Sequence, residues 1–161
     1  AAVSIRAVAS RCSVSAGTIY NYYESKADLL SDTIESIWHE IFFHPEDEQI
    51  FHDVESCISW IYERLEYGNR QFPGFFSLHS FGFMRDEKTS GKKRMMKTWG
   101  HILNGLCEVL ENDPKVRADV FDQEFTEKKF ADILFSLILV SMIRQDYDPS
   151  SVLMLVKKTL Y

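Results

Sequence analysis

"SVSAGTIYNYYESK", Ser13 to Lys26, is the stretch on which the fold turns. It is small, hydroxylated and aromatic, with one glycine in an otherwise helical pattern and a single acid, Glu24. It is too polar for a core helix and too rich in tyrosine for a linker, so its side chains are made to touch something outside the chain. Working outward, Ser4 is an N-cap for a short helix ending at Arg11, with Ile5, Val8 and Ala9 on one face. Cys12-Ser13-Val14 makes a tight connection. A second short helix runs from an N-cap at Ser15 to about Tyr22. Ser25 then opens a long helix, with Asp28 three residues on as a shortened capping box.

Two short helices joined by a three-residue turn, with a long capped helix after them, make a helix-turn-helix. In that arrangement the second helix enters the DNA major groove. Ala9 is small where the helices cross, and Val8, Val14 and Ile19 are expected to form the little core between them. Ser15, Thr18, Tyr20, Asn21 and Tyr22 fall on the remaining faces, where hydroxyls and an amide reach phosphates and base edges. Of Tyr20 and Tyr22, one is expected to pack inward and the other to reach phosphate. Gly17, beside Ala16, lets the helix N-terminus approach the sugar-phosphate backbone, where N–H groups and dipole favour an anion. Lys26 adds a phosphate contact. The expected DNA-contacting set is therefore Ser15, Ala16, Gly17, Thr18, Tyr20, Asn21, Tyr22 and Lys26.

"SIRAVASRCSVSAGTIYNYYESKADLL", Ser4 to Leu30, resembles the DNA-binding signature of the TetR family of bacterial transcriptional regulators. The matching positions are Ile5, Val8, Ala9, Val14, Ser15, Gly17, Thr18, Ile19, Tyr20, Tyr22, Ser25, Lys26 and Leu29. Three positions depart from it: Cys12 stands for alanine, Ser13 for the turn glycine and Tyr23 for phenylalanine. Ser13 is the costliest, because a residue without Cβ is preferred where φ turns positive. The resemblance implies one more helix ahead of Ser4, often basic, which is absent from this chain. It also implies an all-helical body that binds a small molecule and dimerises through its last two long helices.

The body fits that implication. Apolar residues keep helical spacing at Leu30, Ile34, Ile37, Trp38, Ile41 and Phe42, up to Pro45. A helix near Asp47 to Tyr67 follows, then the glycine-broken "FPGFFSLHSFGFM" (Phe72 to Met84), then a long helix over roughly Glu87 to Glu111, stopped by Asn112-Asp113-Pro114. Thr126 caps a helix through Asp146, and Asp148-Pro149 starts the last one. Between Ile133 and Ile143 the chain is apolar almost all the way round, so that helix is covered on both sides, by its own core and by a second copy. The fold expected is all-α: a partial helix-turn-helix domain at 1–30 and a helical effector-binding and dimerisation domain at 31–161. The expected dimer face is Phe130, Leu134, Leu137, Ser141, Leu153 and Val156. The expected pocket, for an apolar or aromatic effector, is Trp60, Ile61, Tyr62, Phe75, Phe76, Phe81, Trp99 and Leu103.

Charge and composition narrow the class. The chain has 161 residues, 45% of them hydrophobic and 14% aromatic, enough for a real core. Net charge is −6, unevenly spread: up to Lys26 three cations (Arg6, Arg11, Lys26) face one acid, a net of +2, leaving −8 for the rest. A slightly basic head on an acidic body suits a head that meets a polyanion. Cys12, Cys57 and Cys107 form neither a disulfide framework nor a zinc site, and they read as reduced thiols of a cytoplasmic protein. The longest apolar run is too short for a bilayer, and no signal peptide is visible. His39 and His44 are five apart, not the four of a zinc-binding H-E-x-x-H, and no nucleophile elbow or phosphate loop occurs, so no metal, cofactor or enzymatic activity is expected. The basic run Lys88 to Lys97 suits a solvated helix start, a longer DNA footprint or an anion site.

The function expected is thus a ligand-responsive repressor, bound as a homodimer to a palindromic double-stranded operator and released by a small molecule. The alternative is a co-regulator of the same fold that contacts protein rather than DNA.

Overall fold

The computed structural model describes residues 4–43, 52–76 and 90–161. Among these residues it is all-α, with seven helices and no strand: α1 (Ile5–Arg11), α2 (Ala16–Tyr20), α3 (Lys26–Phe42), α4 (Val54–Gln71), α5 (Ser90–Asn112), α6 (Glu127–Arg144) and α7 (Ser150–Leu160). The N-terminal caps are the ones that local chemistry dictates. Ser4, Ser15 and Ser25 each accept a hydrogen bond from the third residue on, at 3.2, 3.0 and 3.1 Å. Thr126 does the same for α6.

Several boundaries differ from the sequence expectation; α6, for one, stops at Arg144 rather than Asp146, where Gln145 turns left-handed. The second helix ends at Tyr20 rather than Tyr22, because the N–H groups of both Tyr22 and Tyr23 turn back to the Ile19 carbonyl and close the helix. The fourth starts at Val54, well after Asp47, and runs on to Gln71. Asp53 is its cap, accepting from Ser56 N–H at 2.7 Å, and Lys115 grips the same carboxylate at 2.7 Å. Those bonds hold Asp53 down at about 2, the Lys115 bond contributing most.

The body is built on α3, α4 and α5 packed against one another, with α6 against α5 and α7 against α4. Ile41, Val54, Ile58, Leu65, Leu106, Leu134, Val156 and Leu160 are all sealed in its core. Each such aliphatic side chain contributes about 1.5–3 kcal/mol by leaving water. At the crossing of α3 and α4 the backbones come close over Gly68, where an added Cβ would stand 2.6 Å from Ile41 Cδ1. Arg64 on α4 donates to the Ile41 and Glu40 carbonyls, satisfying the C-terminal end of α3 with a cation where the helix dipole favours one.

A buried carboxylate ties three distant segments together. Asp113, 5% exposed, accepts from Val54 N–H at 2.9 Å, from Lys115 N–H at 2.9 Å and from the Tyr161 hydroxyl. The start of α4, the end of α5 and the residue after α7 thus share one acceptor.

The head has its own small core of Ile5, Ala9 and Ile19, closed by Val8, Ala16, Tyr23 and Leu29. Val14, expected there, is 42% exposed instead. Leu29 and Tyr23 connect this core to α3, and the Tyr23 hydroxyl donates to Asp32 at 2.8 Å. That bond, ahead of burial, raises the Tyr23 phenol above its ordinary value. The expected domain border at residue 30 therefore lies inside a continuous helix.

Candidate nucleic-acid interface and effector cavity

Ser13 adopts φ 56°, the left-handed conformation that the turn glycine of the signature supplies without strain. The turn closes regardless, through Val14 N–H to the Ala9 carbonyl at 3.0 Å. Replacing Ser13 with glycine is expected to stabilise the chain by about 0.5–1 kcal/mol, read as a higher urea midpoint at unchanged slope.

Beyond the turn, α2 presents Gly17, Tyr20 and Asn21 to solvent, and Ser15, Tyr22 and Lys26 flank them, also exposed. Tyr20 is 55% and Tyr22 80% exposed, so neither packs inward; Tyr23 takes that place. Ala16 and Thr18 are half-buried. Ala16 packs on the head core, and the Thr18 hydroxyl is engaged with Ser15 Oγ at 2.9 Å. Arg6 and Arg11, absent from the expected set, are exposed on the neighbouring helix and are the head's other cations. Their type is the signal for them: with Lys26 they are the three cations that, against Glu24, give the head its +2. Gly17 has no internal reason to be glycine. A Cβ there would meet only Ser15 Oγ, at an ordinary 3.6 Å.

In the body, a cleft of about 790 Å³ opens between α3, α4 and α5. Trp38 and Phe42 line it from α3 and Phe43 from the residue that ends it, Cys57, Trp60 and Ile61 from α4, and Ile102, Gly105, Leu106 and Val109 from α5. Glu35, His39, His101, Glu108 and Asn112 supply its polar groups. Trp38 stacks on Phe42 at 5.6 Å, and Trp60 meets Phe42 edge-on at 5.9 Å. Burial, with a lesser push from Asp53, raises the Cys57 thiol to about 12, so it is neutral and inert in the wall.

The structure brings only Trp60 and Ile61 of the expected pocket to this cleft. Phe75 and Phe76 stand behind it, packed on Trp38 at 5.6 and 5.7 Å. Tyr62 points away, its hydroxyl 2.8 Å from Ser141. Trp99 lies edge-on to Phe135, and Leu103 packs on the core beside the cleft. Phe81 and the cationic side chains of the Lys88–Lys97 run lie outside the described residues. The lining residues outside the expected pocket come from the second half of α5, from His101 to Asn112, and from "IWHEIFF" at the end of α3, where Trp38 and Phe42 belong to the apolar stripe read as core.

Residues 1–33 match the family model described as bacterial regulatory proteins, tetR family. That segment is similar to the DNA-binding part of TetR-family regulators. The matched segment spans α1, α2 and the first turns of α3, the region whose helix-turn-helix geometry is described above. No curated protein and no solved structure matches the chain.

The TetR-like head thus sits on an acidic helical body, and the match supports a DNA-binding transcriptional regulator as the coarse class. Among the described residues no helix is long and apolar enough to cross a membrane, and no group of His, Cys, Asp or Glu is placed to hold a metal ion. The expected dimer face needs correction. Phe130, Leu134 and Val156 are 2% exposed or less, consumed by the chain's own core. Ser141 is taken up by Tyr62, while Leu137 and Leu153 are half-buried. On these two helices the large apolar residues left open are Ile133, Val140 and Ile143 on α6, with Met154 and Leu155 on α7, 37–58% exposed. These positions fall on the other side of the same two helices.

Proposed function

We propose that this protein is a ligand-responsive repressor that reads DNA through α2 as a homodimer. The observation carrying the reading is the outward face of α2 and its flanks: Tyr20, Asn21, Tyr22 and Lys26 stand in solvent on a head too small to need them for its own packing. Hydroxyls, an amide and an ammonium there suit phosphates and base edges. The open apolar stripe of α6 and α7 supports pairing of two copies. A two-fold dimer would set two copies of α2 about 34–36 Å apart, matching a palindromic operator. Because α3 contributes Leu29 to the head core and Trp38 to the cleft, an effector that prefers one setting of α3 biases the spacing of the heads.

The test is a fluorescence-anisotropy titration against DNA from the gene's own upstream region, at two salt concentrations. Tyr20→Ala and Lys26→Ala should each weaken binding about tenfold, and Lys26→Ala should also flatten the salt dependence. Gly17→Ala separates surface from scaffold. Alanine is the better helix former and fits the chain, so stability should hold or rise by up to about 1 kcal/mol while DNA affinity falls. Equal, feeble binding by all four proteins on several sequences would instead favour a co-regulator that contacts protein.

A further inference from the structure

We infer that Gly105 is the gate of the cleft, a gap in its polar rim through which a flat aromatic ligand is admitted. The inference rests on the effector reading above and adds to it the residue that sets what enters.

Gly105 lies well inside α5, which runs on to Asn112, and in a helix interior glycine is the poorest choice after proline. The fold gives no reason for it there. Its φ is not positive, since among the described glycines only Gly74 turns that way, and a Cβ added at Gly105 would meet nothing within 4 Å. Gly68 on α4 is the opposite case, with Ile41 and Phe76 pressed against it. What Gly105 does border is the cleft.

On α5 the positions 101, 105, 108 and 112 follow one face of the helix, and all four residues line the cleft. His101, Glu108 and Asn112 are exposed and form its rim on this side. Gly105 interrupts that rim. From residue 101 to residue 108 the helix rises about 10 Å, so the gap takes the edge of a fused ring system between the two flanking side chains. With no Cβ in the way, a ligand there lies directly against the helix backbone.

Inside, the rings are set to receive a flat partner. Trp38 stacks on Phe42 at 5.6 Å and 21°, while Trp60 meets Phe42 at 5.9 Å and 64°. Walls at these two inclinations let one planar molecule stack on one ring and meet another edge-on, the two arrangements that aromatic pairs prefer. Phe43, 59% exposed, offers further ring surface. A puckered aliphatic molecule of the same size would fill the space, about 790 Å³, without either arrangement.

The probe is N-phenyl-1-naphthylamine, which is uncharged at neutral pH and fluoresces on leaving water. It is titrated into the full chain and then displaced by 2-naphthol or by decahydro-2-naphthol, which share a carbon skeleton and differ in flatness. The flat competitor should act at concentrations roughly tenfold lower. Gly105→Leu should weaken probe binding by roughly tenfold or more and Gly105→Ala by about threefold. The thermal midpoint of both variants should hold or rise, because each new residue is a better helix former than glycine. Gly100→Leu is the control: that position is as open and on the same helix but does not line the cleft, so probe affinity should stay within about twofold. Phe43→Ala, on the far side of the opening's chemistry, should weaken the probe about threefold. Full binding by Gly105→Leu alongside weakening by Phe43→Ala would overturn the gate and leave the cleft standing as the effector site. Indifference to both substitutions would remove the cleft from the effector reading and the gate with it. A loss in Gly100→Leu equal to that in Gly105→Leu would also overturn the gate, by tracing the effect to the helix rather than to the gap. Equal displacement by the two competitors, or no binding of the probe, would overturn the flat aromatic class.

Discussion

Asp113→Ala should cost about 3–4 kcal/mol, a large part of the roughly 5–15 kcal/mol by which an ordinary domain is stable. The carboxylate is 5% exposed and accepts three donors that no nearby group replaces in their present positions. Removing it leaves the Val54 N–H buried without an acceptor, a loss of about 1–3 kcal/mol by itself, and frees Lys115 N–H and the Tyr161 hydroxyl. The urea midpoint should fall steeply at unchanged slope. Tyr161→Phe removes one of the three bonds and should lose only about 1–1.5 kcal/mol. The same node has a pH signature. Burial first, and then the bond to Asp113, hold the Tyr161 phenol far above its ordinary value of 10.0. A group raised in this way contributes stability that is complete below about pH 10 and lost as pH rises towards its folded value. Tyr161→Phe should therefore unfold over a flatter alkaline limb than the parent.

Gly68→Ala should destabilise, although alanine in a helix is ordinarily better than glycine by about 1 kcal/mol. The new Cβ would stand 2.6 Å from Ile41 Cδ1 and 3.0 Å from both Ile41 Cγ1 and Phe76 Cζ. Neither neighbour has room to withdraw, since Ile41 is 0% and Phe76 2% exposed. Overpacking of this kind costs about 1–3 kcal/mol, so a net loss of about 1–2 kcal/mol is expected for alanine and more for valine. Trimming the obstacle should reverse it: Gly68→Ala with Ile41→Val should be more stable than the sum of the two single changes, by at least 0.5 kcal/mol in a double-mutant cycle. Additivity would mean that α3 and α4 part to admit the methyl group without strain.

What could be read from sequence was what is local. The serine caps at Ser4, Ser15 and Ser25 act within three residues of themselves, and the motif that places them carries its own geometry, down to the strained turn at Ser13. What failed was set at a distance. The segment before α4 offers acids at Glu46, Asp47, Glu48 and Asp53, any of which could open a helix; Asp53 is anchored by Lys115, and the adjoining Val54 N–H is taken by Asp113, 59 residues away. The cleft was misplaced for a similar reason. Phe75 and Phe76 are as aromatic as Trp38 and Phe42, and only the rotation of α3 against α4 and α5 decides which pair faces a void. On α6 the apolar residues run round the whole helix, so the choice between inner and outer rows rests on how it settles against α5.

The continuity of α3 across both cores makes it a lever. Lys26 stands about 18 Å along the axis from Trp38, at 1.5 Å per residue. A tilt of roughly 5° about the cleft end moves the Lys26 end by about 1.6 Å, enough to carry a hydroxyl or ammonium out of hydrogen-bond range of a phosphate. In the homodimer proposed above, two copies tilting in opposite senses would double the error in span, and a ligand displacing aromatic rings by a fraction of their own width would be amplified into a mismatch with the pitch of DNA.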